Sequence, residues 1–351
     1  MWLCGVGASV RLIGADAATI TPKEVPLRRH ELGVVREMAY STEASTLDDL
    51  MRRIVEKLLV DGERNVASKG ETIEIVSATL ELTNPRARIS RTETRRKVVS
   101  ALGELCWYLS GSNEADPVLF YISEYAKAVE PDGTIHGAYG PRLFGQNEGA
   151  QVDRVIQILR QKPSSRQAVI QLFDRADIAS PGQYLDIPCT TTLQFLLRSN
   201  SLHMIVNMRS NDAYWGLPHD VFAFTMIQEI VARELGAEVG RYIHSVGSIH
   251  LYTNKLDLAK QFIGEGWQST VDYMPTMSMG SQFPHIRQLL DAESQLRAGV
   301  PFSDIELPQD PYWADLAHLL AIRAAQKFNW SSEIRANILA GFTSDAYAEF
   351  L

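Results

Sequence analysis

The side chains with the greatest chemical potential gather in residues 186–220, DIPCTTTLQFLLRSNSLHMIVNMRSNDAYWGLPHD. Cys189 follows a proline and precedes three threonines at what reads as a strand entrance. A thiolate there is a nucleophile, whereas a solitary thiol is as readily a small, inert core residue. Its company favours the first reading. Arg209, Ser210, Asn211 and Asp212 close the next hairpin arm. A guanidinium beside a hydroxyl suits a phosphate, and a nearby positive charge stabilises a thiolate. The plain alternative is a surface ion pair followed by a turn.

These residues need a scaffold. STLDDLMRRIVEKLLVDG repeats Leu47, Leu50, Met51, Ile54, Leu58 and Leu59 at helical spacing, with Ser45 or Thr46 as the cap. ETIEIVSATLELTN alternates like a strand that buries Ile73, Ile75, Val76 and Leu80. RRKVVSALGELCWYLSG reads as a buried helix ending at Gly111, and QVDRVIQILRQKP as an amphipathic helix stopped by Pro163. RQAVIQLF, TTTLQFLLRS, LHMIVNMR and RYIHSVGSIHLY carry strand composition, the second and third separated by a Ser199-Asn200 turn. DVFAFTMIQEIVARELG is an apolar helix, and residues from about 280 to 351 read as several more. Without regular βαβ alternation or a glycine-rich turn after the first strand, the class is α+β, a mixed β-sheet core with surrounding helices. Residues 1–43 show no clean period and are expected to form an N-terminal extension to a catalytic domain over 44–351.

Composition narrows the function further. The chain has 351 residues, 45% hydrophobic and 22% charged, and a formal charge of −8. That charge argues against a nucleic-acid partner, because phosphate neutralisation dominates such binding. No apolar run reaches the roughly 20 residues that cross a bilayer. MWLCGVGASVRLIG is a poor secretion signal, and Cys4, Cys106 and Cys189 make neither a disulfide framework nor a zinc site. The expectation is a cytoplasmic protein without metal.

PCTTTLQF, NMRSNDAYWGLPHDVFAFTMI and SIHLYTNK resemble the core of the thymidylate synthase family, and ELCWYLSGSNE, HGAYGPR and KPSSRQAVIQLF extend the likeness over roughly residues 45–260. The resemblance implies that fold, and Cys189 as the nucleophile that adds to C6 of a pyrimidine. It implies that Glu104 organises water and proton transfer, with Tyr139 in the same network. Arg209 and Ser210 match phosphate contacts, with Gln194 where the family contacts the nucleotide. Asp212 lies between pyrimidine and folate, while His250 and Tyr252 bond a ribose hydroxyl. Arg166 matches an arginine that reaches a partner's phosphate site, implying a homodimer, and Arg64 is a weaker match to a phosphate arginine. The implied substrates are a nucleotide monophosphate and 5,10-methylenetetrahydrofolate.

The departures point to a particular branch. Thr190 replaces a histidine, Gln167 an arginine, and Ile122 and Tyr125 two tryptophans that flank folate. Val246-Gly247-Ser248 stands where synthases have GGD, and the segment that closes over folate has no counterpart. Above all, synthases end this stretch PFN, and here it is Pro218-His219-Asp220. An amide complements uracil; a protonated carboxyl donates to N3 and accepts from N4 of cytosine. The resemblance therefore extends to the cytidylate 5-hydroxymethylases of the family, which add water where a synthase delivers hydride. Three alternatives stay open: Asp220 as a helix cap, methylation of dUMP, and an inactive member that binds nucleotide or RNA.

Overall fold

A computed structural model describes residues 39–67, 69–95, 97–145, 150–180 and 182–350. Chain order is β1 (Tyr40–Ala44), α1 (Leu47–Asp61), β2 (Glu63–Ala67), β3 (Gly70–Leu82), α2 (Val98–Leu109), α3 (Ala115–Leu119), α4 (Tyr139–Phe144), α5 (Gln151–Gln161), β4 (Val169–Gln171), β5 (Thr190–Arg198), β6 (Ser201–Asp212), α6 (Gly216–Glu234), β7 (Glu238–Tyr252), α7 (Leu256–Gly264), α8 (Phe283–Arg297), α9 (Pro311–Lys327) and α10 (Ser332–Ala340). The strands form one mixed sheet in the order β1-β3-β7-β6-β5-β4, with β2 paired to β3. β1 runs parallel to β3 and β6 parallel to β7; the remaining pairs are antiparallel. The α+β reading holds, and α6 is the crossover that a parallel β6–β7 pair requires.

β1 begins four residues before position 44, because Tyr40–Ala44 pairs with Ala78–Leu82. The rest of the expected leader lies outside the described residues. α1 is capped by Thr46, whose hydroxyl accepts from the Asp49 N–H at 3.1 Å. It buries the expected stripe except Leu59, which is half-buried. β3 departs more. Ser77 takes a left-handed conformation (φ 64°) and breaks the alternation, so Val76 is 68% exposed instead of inside. β4 keeps three residues of the longer expected strand, because the N–H groups of Leu172 and Phe173 both turn to the Thr191 carbonyl. The β5–β6 turn needs both Ser199 and Asn200 at positive φ (46° and 60°), the two-residue geometry that suits the twist of its strands.

α1 and α6 cover one face of the sheet, α2 packs on α6, and α6 is buried along almost its whole length. On β6 the residues Leu202, Met204, Val206 and Met208 point into this core, while Ser201, His203, Ile205 and Asn207 alternate onto a partly exposed face. α2 packs on its other side against the C-terminal helices. Gly103 lets its backbone meet the Tyr121 ring, where an added Cβ would sit 2.2 Å from the nearest ring atom. The Tyr121 hydroxyl donates to Glu293 of α8 at 3.0 Å. Arg88 and Glu229 form a fully buried ion pair, with the Met277 N–H donating to Glu229 at 3.0 Å.

Candidate active site

Cys189 sits immediately before β5, and Arg209 near the end of β6 ties down the segment ahead of it. The Arg209 Nε donates to the Pro188 carbonyl at 2.9 Å and its Nη2 to the Ile187 carbonyl at 3.1 Å. Its backbone N–H donates to the Cys189 carbonyl at 2.8 Å. Burial pushes the Cys189 thiol up; Arg209 and Lys69 oppose the shift, while Asp186 and Asp220 reinforce it. Lys69, in the β2–β3 turn, pairs with Asp186 at 3.2 Å. Sequence reasoning missed Lys69, since a charged residue in a hairpin turn carries no signal of what it faces. Ser210 follows Arg209 and lies opposite Ser248 in the parallel ladder.

The other end of the cleft holds two carboxylates with opposite surroundings. Glu104, on α2, accepts at Oε1 from the Tyr108 hydroxyl at 2.9 Å and from the Tyr125 hydroxyl, and at Oε2 from His219 Nδ1 at 2.7 Å. Burial alone would raise this carboxyl, but the imidazole and the two phenols outweigh it and the net shift is downward. Asp220, on α6, has one donor: Asn211 Nδ2 reaches its Oδ2 at 2.7 Å. Burial, helped by the neighbouring Glu104, holds the Asp220 carboxyl well above its ordinary range. Asn211 is itself oriented. Its Oδ1 accepts from His244 Nε2 at 3.1 Å, and His244 Nδ1 accepts from the Tyr242 hydroxyl at 2.8 Å. Burial lowers His244 to about 3, so the ring is neutral and has one proton to give.

Asp220 is not a helix cap. α6 starts at Gly216, earlier than the apolar pattern suggests, because Pro218 needs no N–H partner in a first turn. Asp212 serves that entrance instead, its Oδ1 accepting from the N–H groups of Tyr214 and Trp215 at 2.7 and 2.9 Å. Tyr139 opens α4. Its oxygen accepts from both the N–H (3.0 Å) and the hydroxyl (2.9 Å) of Thr190, which leaves its own proton for the cleft. Burial, with Asp220 and Cys189 beside it, pushes this phenol well above its ordinary range, so it remains a hydroxyl. Thr190, at the position of the family's histidine, thus has a partner of its own.

His250 and Tyr252 end β7, their rings 5.2 Å apart and edge to face, with His250 opposite Asp212 in the ladder. Near Asp212, Arg95 is 2% exposed and none of its guanidinium nitrogens has a protein partner. It stacks on Trp215 at 4.5 Å, and Lys97 and Lys255 lie 4.9 and 5.8 Å from the same ring. An aromatic ring ringed by three cations, one of them buried and unpaired, fits an aromatic co-substrate carrying carboxylates, as folate does. The chain's own residues for that group would be Trp215, Arg95, Lys97 and Lys255. Among the described residues, no group of three or more His, Cys, Asp or Glu side chains is arranged to hold a metal. No helix among them is long and apolar enough to cross a membrane.

The structure brings Cys189, Tyr139, Glu104 and Asp220 into one cleft, with Arg209, Ser210, Asp212, His250 and Tyr252 on the two strands that border it. Gln194 is placed elsewhere. Leu193 and Phe195 on either side are fully buried, so Gln194 points to the opposite face, where its amide donates to the Arg166 carbonyl at 3.0 Å. Arg166 is exposed on that side, and Arg64 is exposed on β2. Tyr125 gives its hydroxyl to Glu104, and Ile122 packs into the core. In the sequence Asn211 and His219 were read only as members of their stretches, without a role of their own, and His244 was not singled out. The one readable signal was a histidine at a position where the family carries phenylalanine.

The family model for thymidylate synthase matches residues 46–295. The chain is 28% identical over 227 residues to thymidylate synthase 1 of Bacillus subtilis (strain 168), covering 61% of this chain and 80% of that protein. It is 31% identical over 222 residues to a thymidylate synthase of Bacillus licheniformis, covering 59% and 78%. It is 28% identical to a thymidylate synthase of Bacillus phage phi3T, covering 61% and 80%. α9 and α10 lie beyond the matched region.

Proposed function

Since the chain belongs to the thymidylate synthase family of folate-dependent one-carbon transferases, we propose that it is a cytidylate C5-hydroxymethyltransferase. It converts CMP or dCMP to the 5-hydroxymethyl nucleotide with 5,10-methylenetetrahydrofolate and water. The observation that carries this is the state of Asp220. Burial and the neighbouring Glu104 favour the protonated form of this carboxyl, and Asn211 occupies Oδ2. The proton therefore belongs on Oδ1, where it donates to N3, while the second lone pair of Oδ2 accepts from the N4 amino group. Uracil presents the reverse pattern and leaves both contacts mismatched.

The residues divide the work. Arg209 and Ser210 hold the phosphate, His250 and Tyr252 a ribose hydroxyl. The Cys189 thiolate adds to C6, and the Asp220 proton on N3 takes up the charge that builds in the ring. The co-substrate supplies a one-carbon unit that becomes a methylene on C5. Glu104 orients the water that adds to that methylene, and Cys189 then leaves C6. Arg166 and Gln194 lie on the partly exposed sheet face, so a second copy seated there would receive Arg166 at its own phosphate site, giving a homodimer. Free thiols at Cys106 and Cys189 suit a cytoplasmic setting.

The names of the relatives favour a second reading, methylation of dUMP, which Asp220 opposes. Tritium release from CMP, dCMP and dUMP labelled at C5, with product masses recorded, separates the two. The expected result is release from a cytidylate with a hydroxymethyl product. Release confined to dUMP with a methyl product overturns the proposal.

A further inference from the structure

Glu104 has roughly four lone-pair sites, and three are filled from within the protein. Tyr108 and Tyr125 saturate Oε1, so the single place left for a water is on Oε2, the oxygen that His219 also holds. The other ring nitrogen of His219 is equally committed. Nε2 lies 3.2 Å from the Ser100 hydroxyl oxygen, and that hydroxyl spends its proton on the Lys97 carbonyl at 2.9 Å. Facing an ionised carboxylate, His219 donates at Nδ1, and its Nε2 is held by the Ser100 hydroxyl. It stands on α6, one residue before Asp220, and both ring nitrogens reach side chains of α2.

We propose that His219 is a positioning residue for the water step: it holds the Glu104 carboxylate so that Oε2 alone receives and deprotonates the water that adds to the C5 methylene. This rests on the hydroxymethyltransferase reading and deepens it. The step balances as follows. The water oxygen forms a bond to the methylene carbon, and its proton passes to Glu104 Oε2. The electron pair of the exocyclic double bond moves into the ring and becomes the restored C5–C6 double bond, while the C6–S bonding pair leaves with sulfur as the Cys189 thiolate. A phenylalanine at position 219 offers no donor to Oε2. Glu104 would then be free to turn either oxygen to the cleft, and water would compete poorly with other nucleophiles. The exchange of phenylalanine for histidine thus accompanies the exchange of asparagine for aspartate: one reads the base, the other directs the water.

The test separates water addition from the steps before it. Tritium release from C5-labelled cytidylate reports attack by Cys189 and loss of the C5 proton; hydroxymethyl product reports water addition; and added 2-mercaptoethanol captures methylene that water has not taken. In His219→Phe, product should fall roughly 10- to 100-fold, the range of a misplaced acid–base group, while tritium release falls much less and the thioether share rises. His219→Asn keeps a donor near the place of Nδ1 and should recover most of the product with little thioether. Product and tritium release falling in step in both variants, or a fully active His219→Phe, overturns the proposal while leaving the reaction intact. Wild-type protein that yields no hydroxymethyl product from any nucleotide overturns the reading, and this proposal with it.

Discussion

Glu104 and Asp220 are neighbours in one cleft, both enclosed by protein, and they are driven in opposite directions. Glu104 meets three donors and is held below its ordinary range; Asp220 meets one and is held far above it. Enclosure is common to both, so the number of donors decides which carboxyl is charged. Each also acts on the other, because an ionised Glu104 makes a second negative charge at Asp220 costly. In the proposed reaction the lowered carboxyl serves the water and the raised one the base.

The deepest break in this division is Glu104→Gln. It removes the charge and offers an amide N–H to donors that need an acceptor. Turnover should fall by about 10²- to 10⁴-fold, the worth of a positioned acid–base group. Covalent capture of Cys189 by a 5-fluorinated cytidylate should survive, and its loss would show that Glu104 serves the thiol instead. Asp220→Asn comes next. The amide matches uracil, and a buried mismatch costs about 1–3 kcal/mol, so the cytosine-to-uracil ratio of kcat/KM should shift by roughly 10- to 100-fold. An unchanged ratio would mean that Asp220 does not read the base.

A smaller effect is expected from Asn211→Leu, which deletes the one donor to Asp220 and strands the His244 N–H. KM for cytidylate should rise roughly 3- to 10-fold, the net worth of one hydrogen bond, with base preference preserved. A reversed preference would transfer the reading role to Asn211. The subtlest expectation is in stability against pH, followed by urea unfolding of each variant beside wild type. The folded Glu104 value lies below its ordinary 4.5, so its contribution is present above that pH and is lost as pH falls through the folded value. The folded Asp220 value lies above its ordinary 3.8, so its contribution is present below that pH and is lost as pH rises towards the folded value. Relative to wild type, Asp220→Asn should therefore gain stability as pH climbs above 3.8, and Glu104→Gln should gain as pH drops below 4.5. Parallel curves for all three proteins would deny the contrast.

Much of this arrangement was legible in the residue order. The α1 stripe, the Ser199-Asn200 hairpin and the chain of strands follow from periodicity and turn chemistry, and they emerge within a few residues of expectation. Val76 and the short β4 do not, since Ser77 and Thr191 redirect the backbone through contacts that periodicity does not record. Cys189 stood out by type and company, whereas Glu104, Tyr139 and Asp220 were located through the family resemblance. Gln194 was placed where the family contacts the nucleotide; its neighbours Leu193 and Phe195 claim the inward face and send it outward. The Tyr242–His244–Asn211–Asp220 chain joins β7, β6 and α6, and His219–Glu104 joins α6 to α2. Such pairings are properties of packing, and a linear pattern holds no record of them.

Gly103 gives the site a mechanical dependence on distant parts of the chain. The backbone next to Glu104 rests directly on the Tyr121 ring, which is moored by its hydroxyl to α8. A single methyl group at this position would have to displace either the ring or the helix, and the helix carries Glu104. Redesign of the C-terminal helices is therefore not neutral ground for an engineer. A change that moves Glu293 is passed through one aromatic ring to Glu104, so libraries built at α8 sample the water-binding geometry as well as stability.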